Sequence, residues 1–410
     1  MLKPAKIERQ TPEALGEFRQ EVKFEVVTPM FGGGVFLNED APHQKEPDAV
    51  TPIRSAAVRG QLRFWWRATT GVTYGNIPAM KKAEDELWGN ASIAGKVRLH
   101  VQYKGTPTTK PVYQWTTKQD GKQRLDAVNQ DLAYGAFPLQ PAQQASNKTP
   151  GNLHRFSGEA TLTLSGPAGK QQEVMGAVQA WLTFGGLGGR TRRGFGAVSS
   201  KGSAVDPEKV LGQWKGSPLA GCSSLAGGRL AVLGKNFGSA EDAQLAGLKA
   251  LRMYRQGVGV GRNPGQQPSR PGRSRWPEPD EIRRLKMRHD FQHAPMHPVH
   301  KFPRAAFGMP IIFHFQSKDD PKDTQLVPEG LNRRASPLIL RPVQTAGGWK
   351  VLALVLSDPA MRGELQSLSL SGDPVRGELT RAEAQQIRPL SENQGTEDVL
   401  GSFLTYFRAQ

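Results

Sequence analysis

"GGLGGRTRRGFGAV", residues 185–198, holds six glycines and three arginines in fourteen positions. Glycine tolerates positive φ and lets a backbone come close to another surface. Arginine adds a planar, permanently charged fork that matches phosphate. The stretch reads as a loop moulded around a polyanion, and its place in the fold follows from its flanks. On its N-terminal side "QQEVMGAVQAWLTF" (171–184) has helical spacing, and on its C-terminal side "FGAVSS" (195–200) reads as a short strand.

The same reading extends outward. "EVKFEVV" (21–27) alternates Val22, Phe24 and Val26 with polar neighbours, as a half-buried strand does. "TPIRSAAVRGQLRFWWRATTG" (51–71) reads as a helix with Thr51 as N-cap, Pro52 at the first helical position and Gly71 as terminator. "KVRLHVQY" (96–103) and "GEATLTLS" (158–165) are two further alternating strands, separated by a long polar excursion. The order strand, helix, strand, strand, helix, strand is the split βαβ, ferredoxin-like arrangement.

The second half gives strand signals at 228–234, 308–316, 337–343 and 349–357, and helical ones at 240–256 and 396–409. With 410 residues, more than one domain is expected. The fold class is therefore α+β, two tandem ferredoxin-like βαββαβ domains with long loop insertions, over residues 1–203 and 228–410.

Charge narrows the function. Lys and Arg number 54 against 37 Asp and Glu, a net charge of +17. The basic residues crowd into Gly- and Pro-rich loops instead of an amphipathic helix, which favours nucleic acid over a membrane surface. Cys222 is the single cysteine, so no internal disulfide forms. No apolar run spans a bilayer and the N-terminus lacks a signal-peptide core, so a cytoplasmic location is expected.

The loop fails the nucleotide-binding templates. Aligned on Gly189, a Walker A motif would place its first glycine at Phe184 and replace the lysine with Arg190. A dinucleotide fingerprint would need glycine at Thr191 and a strand before the loop. "RRGFGAVSS" approaches the RNP1 signature, but Ala197 and Ser200 stand where stacking aromatics belong.

Two further basic tracts accompany the loop. In the first helix Arg59, Arg63 and Arg67 recur every four residues on one face, with Arg54 a turn earlier. No carboxylate lies between Val50 and Lys82, so ion pairs within that helix do not explain the stripe. The helix start around Arg54 and Ser55 also offers unpaired N–H groups and a positive dipole end. Residues 251–304 hold twelve Lys or Arg against four Asp or Glu, with Arg270, Arg273 and Arg275 beside Trp276, a pattern suited to single-stranded nucleic acid. Among His289, His293, His297 and His300 the i, i+4 pair His289 and His293 could bind zinc on a helix, but Pro295 and Pro298 break a helix there, the sole cysteine is far away and Asp290 is the one nearby carboxylate. No metal and no cofactor is expected.

These residues carry a resemblance. A glycine-rich loop after the second helix of a ferredoxin-like unit resembles the RAMP superfamily of CRISPR RNA-binding proteins. "TPIRSAAVRGQLRFWWRA" (51–68), "RSRWPEPDEIRR" (273–284), "FPRAAFGMP" (302–310) and "RRASPLILRP" (333–342) are similar to the family of the first-named RAMP subunit of the Cmr complex, the type III-B effector. The resemblance implies a non-catalytic subunit near the 3′ end of the guide (CRISPR) RNA that helps capture complementary, single-stranded target RNA. Its implied partners are those RNAs and the other Cmr subunits, including the backbone RAMP subunits.

Carried over by motif, Arg54, Ser55, Arg59, Gln61, Arg63 and Arg67 would line the RNA-facing first helix. Gly188, Gly189, Arg190, Thr191, Arg192 and Arg193 would lie against the RNA backbone. Arg273, Arg275, Arg304, Arg333 and Arg334 would be contacts from the second half. Related backbone subunits cleave target with a loop aspartate; Glu39, Asp40 and Asp48 in the corresponding loop read as solvated, and no catalytic residue is assigned. The alternatives are a metal-independent guide-processing endoribonuclease using a histidine such as His289, and a basic structural protein of another ribonucleoprotein.

Overall fold

The computed structural model describes residues 16–32, 35–36, 45–46, 51–140, 150–267, 271–286, 293–315 and 320–410. In the N-terminal half β1 (Glu17–Val26), α1 (Ser55–Thr69), α2 (Ile77–Trp88), β2 (Arg98–Gly105), β3 (Gly158–Pro167), α3 (Gln171–Phe184) and β4 (Val198–Ser200) follow in order. The four strands pair antiparallel in the order β4-β1-β3-β2, which is the ferredoxin-like sheet. Alternation sends Phe18, Phe24, Val26, Ala160, Leu162 and Leu164 to one face, against α1 and α3.

Local signals explain most boundaries. α1 begins later than Thr51 and Pro52 suggested: its N-cap is Arg54, which makes no side-chain cap bond. α2, which sequence periodicity left unassigned, is capped by Asn76, whose side chain accepts from Ala79 N–H, with proline in its first turn. Between β2 and β3 the excursion folds into short strand pairs, Thr108–Pro111 with Asn152–Arg155 and Tyr113–Thr117 with Gln123–Ala127.

The second half supplies β5 (Ser224–Val232), α4 (Ala240–Gln256), α5 (Glu278–Leu285), β6 (Leu338–Thr345), β7 (Gly348–Ser357) and α6 (Val399–Arg408). Its antiparallel sheet runs β5-β7-β6. This repeats the β-α-β-β-α part of the same plan, and no fourth strand joins it among the described residues. A second small sheet, built from Ile311–Phe313, Thr324–Pro328, Leu368–Leu370 and Asp373–Val375, holds the inserted segments.

The two halves share a core. On β6 and β7, Ile339, Val343, Leu352, Leu354 and Leu356 pack into the cluster that contains Trp65, Trp66 and Trp181 of α1 and α3. The alternating residues Leu338, Leu340, Val351, Ala353 and Val355 face α4 and α6. The layers are therefore sheet, helices, sheet, helices. A sheet buried on both faces needs apolar side chains at successive positions, which is why "PLILRPV" and "WKVLALVLS" read as continuous runs.

Arg341 interrupts one of these runs. It shares the Ile339–Val343 face, is 1% exposed, and donates to the carbonyls of Leu182 (3.1 Å), Gly185 (2.9 Å) and Val198. Two of these acceptors lie at the C-terminal end of α3, where a cation meets the negative end of the helix dipole. Burial pushes the guanidinium down to about 9, still charged at neutral pH. Replacement by leucine would strand these carbonyls. Arg341→Leu is expected to lose about 3 kcal/mol or more of unfolding free energy, read from the urea midpoint. An unchanged midpoint would show that the carbonyls find other donors.

Candidate nucleic-acid interface

The glycine loop lies between two walls of its own chain. On one side it pairs with residues 27–31. Gly189 N–H donates to the Phe31 carbonyl at 2.7 Å, Gly196 N–H to that of Pro29 at 3.0 Å, and Thr28 Oγ1 donates to the Gly194 carbonyl at 2.6 Å. Gly188 has φ +77°, and a Cβ there would stand 2.6 Å from the Phe31 carbonyl oxygen. The close approach that requires glycine at 188 is thus to Phe31 of the same chain. Gly188 itself remains exposed, and Gly189 and Thr191 are half-buried.

On the other side the loop arginines reach β6 and its approach. Arg192 donates to the Ser336 carbonyl and sits 5.5 Å above the Phe64 ring. Arg193 donates to the Leu338 carbonyl at 3.0 Å. Arg190 has φ +55° and lies 4.9 Å over the exposed Phe137 ring. Arg255 of α4 joins them, bonded to Tyr134 Oη at 3.0 Å and 5.6 Å from the Phe307 ring.

None of Arg190, Arg192, Arg193 and Arg255 meets a carboxylate among the described residues. Their partners are carbonyls, a phenol and aromatic faces. The electrostatics record the consequence. Burial pushes Arg193 down to about 9, opposed by Tyr134 and helped to a smaller extent by Arg255, Arg190 and Arg192. Arg192 falls to about 10, through burial and then the Arg334 charge. Arg190 is lowered by burial and by Arg255, against an opposing contribution from Tyr134. Arginines crowded together without an anion repel each other, and an added phosphate would relieve that repulsion.

The α1 stripe behaves differently. Arg63 Nε donates to Glu84 Oε1 at 2.7 Å and Nη1 to the Gly89 carbonyl at 2.8 Å; Arg67 is paired with the same Glu84 oxygen. Arg59 donates to the carbonyls of Trp88 (2.9 Å) and Val97 (3.0 Å). Ion pairs within α1 do not hold this stripe, as its sequence implied; the carboxylate that meets Arg63 and Arg67 comes from α2, the next helix. Trp66, on the border of the stripe, is fully buried and donates to Glu173 at 3.2 Å. Ser55 Oγ accepts from Val101 N–H at 3.1 Å, which docks the start of α1 on β2. Arg54 is exposed and Gln61 half-buried.

Four of the five second-half candidates bond to groups of their own chain. Arg273 donates to the Ala294 carbonyl, Arg275 to Asn263 Oδ1 at 2.8 Å, Arg304 pairs with Glu278 at 3.1 Å, and Arg334 pairs with Glu364 at 2.5 Å. Arg333 is exposed. Trp276, expected beside a nucleic-acid strand, is buried and donates to the Tyr254 carbonyl at 3.1 Å. Sequence reasoning missed Arg255, because its helix sits far from the loop in the chain.

Among the described residues no group of three or more His, Cys, Asp or Glu is arranged to hold a metal ion, and no helix is long and apolar enough to cross a membrane. His289, Glu39, Asp40 and Asp48 lie outside the described residues. His293 contacts Asp320 at 3.2 Å and His300 contacts Glu281 at 2.8 Å.

Residues 23–199, from β1 to the end of the glycine loop's strand, match the model of the RAMP superfamily. The similarity to the RAMP superfamily thus runs from β1 to β4 of the N-terminal half. Comparison with curated proteins gives no match. Among solved structures, Cmr1 from Pyrococcus furiosus in its apo form is 15% identical, with 90% of this chain and 96% of that one covered and a TM-score of 0.46. A chain of the type III-B Cmr-beta complex bound to cognate target RNA is 9% identical, with 94% and 98% covered and a TM-score of 0.45.

The α1–α2 pairing yields a test. Removing both cations, Arg63→Ala with Arg67→Ala, leaves Glu84 buried without a charge partner. The double variant is expected to lose about 3–5 kcal/mol in chemical denaturation. Adding Glu84→Leu should restore much of it. A double variant as stable as the parent would show that the stripe does not hold the fold.

Proposed function

We propose that this chain is a non-catalytic RNA-binding subunit of a type III-B CRISPR effector complex. In this reading it acts in the cytoplasm beside backbone RAMP subunits, holds the guide RNA near its 3′ end and helps capture complementary target RNA. The observation that carries the reading is the carboxylate-free cluster of Arg190, Arg192, Arg193 and Arg255 at the glycine loop of the RAMP-like N-terminal half. Phosphates are the anions this cluster lacks. The motifs at 51–68, 273–284, 302–310 and 333–342 support the Cmr assignment by resemblance.

The α1 stripe has a smaller part than its spacing suggested, since its guanidiniums already serve Glu84 and main-chain carbonyls.

The test uses Arg190→Asn with Arg255→Gln. Asparagine tolerates the left-handed backbone at position 190 while removing its charge. In fluorescence anisotropy with labelled single-stranded RNA, the double variant is expected to bind about tenfold more weakly. Its salt dependence should be shallower by about one unit of slope for each phosphate that is no longer neutralised. An unchanged affinity and slope, with an unchanged melting temperature, would refute the reading. Discrete cleavage of CRISPR transcript by the parent protein would overturn the non-catalytic role.

A further inference from the structure

Beside the arginine cluster, α1, the end of α3 and the glycine loop enclose a pocket of about 220 Å³. Its apolar wall is the half-buried Phe64 with Ile339, backed by the buried rings of Trp65 and Phe184. Phe64 and Trp65 meet edge to face with centroids 5.1 Å apart, and Trp65 and Phe184 stand 6.1 Å apart. Its polar groups are Gln61, Thr191 and Arg192, and among the described residues no carboxylate lines it. Arg192 belongs both to this pocket and to the cationic cluster.

We propose that this pocket receives a single unpaired nucleobase turned out of the RNA strand. The inference rests on the RNA-binding reading and names the part of the strand that meets this site. Size argues first: drug-sized ligands occupy about 300–1,000 Å³, so this volume suits one small planar ring system. Chemistry argues second. A base offers a flat π-face to Phe64 and a polar edge to an amide, a hydroxyl and a guanidinium. A lining without carboxylates keeps the entrance compatible with the phosphates on either side of that base.

The pocket and the arginine cluster would then divide the work. The cluster attracts any polyanion, whereas the pocket accepts only one that bears bases. Gln61→Trp fills the pocket from a half-buried position on α1, and Phe64→Leu removes part of its wall. Each variant is compared with the parent for binding to single-stranded RNA and to heparin, a polyanion without bases. We expect about tenfold weaker RNA binding with heparin binding unchanged, the size of effect that one stacked base contributes. RNA carrying 2-aminopurine should also show a fluorescence change at one position with the parent and none with the variants.

RNA binding retained by both variants would overturn the pocket while leaving the RNA-binding reading intact. Equal losses for RNA and heparin in both variants would also overturn it, since the pocket would then act only through charge. Failure of the parent to bind single-stranded RNA would overturn both readings.

Discussion

Guanidinium groups bonded to main-chain carbonyls across the junction of the two halves are the constraint on which this structure turns. Arg341 reaches from β6 to the end of α3 and to β4. Arg192 and Arg193 reach the opposite way, from the loop to Ser336 and Leu338. Carbonyl oxygens carry only partial negative charge, so these contacts satisfy hydrogen bonds without neutralising the cations. The junction is held firmly and stays strongly positive. A carboxylate in the same place would have fixed the loop equally well and removed its attraction for anions.

The contrast with α1 makes the point sharper. Both basic features are arranged by the same fold, and they meet in space at Phe64 and Arg192. In α1 the long side chains lie over α2, and the buried Glu84 draws Arg63 and Arg67 onto it. In the loop, Arg192 and Arg193 bond to carbonyls and Arg190 covers an aromatic ring. Density of positive charge in the sequence is therefore a poor guide to where an anion binds. What matters is whether the fold delivers a compensating carboxylate, and that is decided by elements distant along the chain.

The shared core explains why the loop keeps its shape. Because β6 and β7 are apolar on both faces, they bury α1 and α3 on one side and α4 and α6 on the other. The end of α3, the loop and β6 are thereby fixed relative to one another, and the aromatic pocket beside Arg192 is a product of that fixation. Phe64, Trp65 and Phe184 are ordinary helix positions until Ile339 of the second sheet closes over them.

Much of the secondary structure was legible from the chain itself. Alternation marked β1, β2 and β3, helical spacing marked α3 and α4 at their observed limits, and the order of elements implied the β4-β1-β3-β2 sheet. These are local properties: side-chain period, capping residues and turn formers act within a few positions. The start of α1 was misplaced because Thr51 has the chemistry of a cap, whereas the helix begins where Ser55 can dock on Val101. The candidate site was legible only as composition. That arginines mattered at 190–193 could be read from the chain; that Glu84 would silence Arg63 and Arg67, and that Arg255 would join the loop, could not. Hydrogen bonds and ion pairs across tens of residues depend on where the chain returns, and only tertiary packing fixes that.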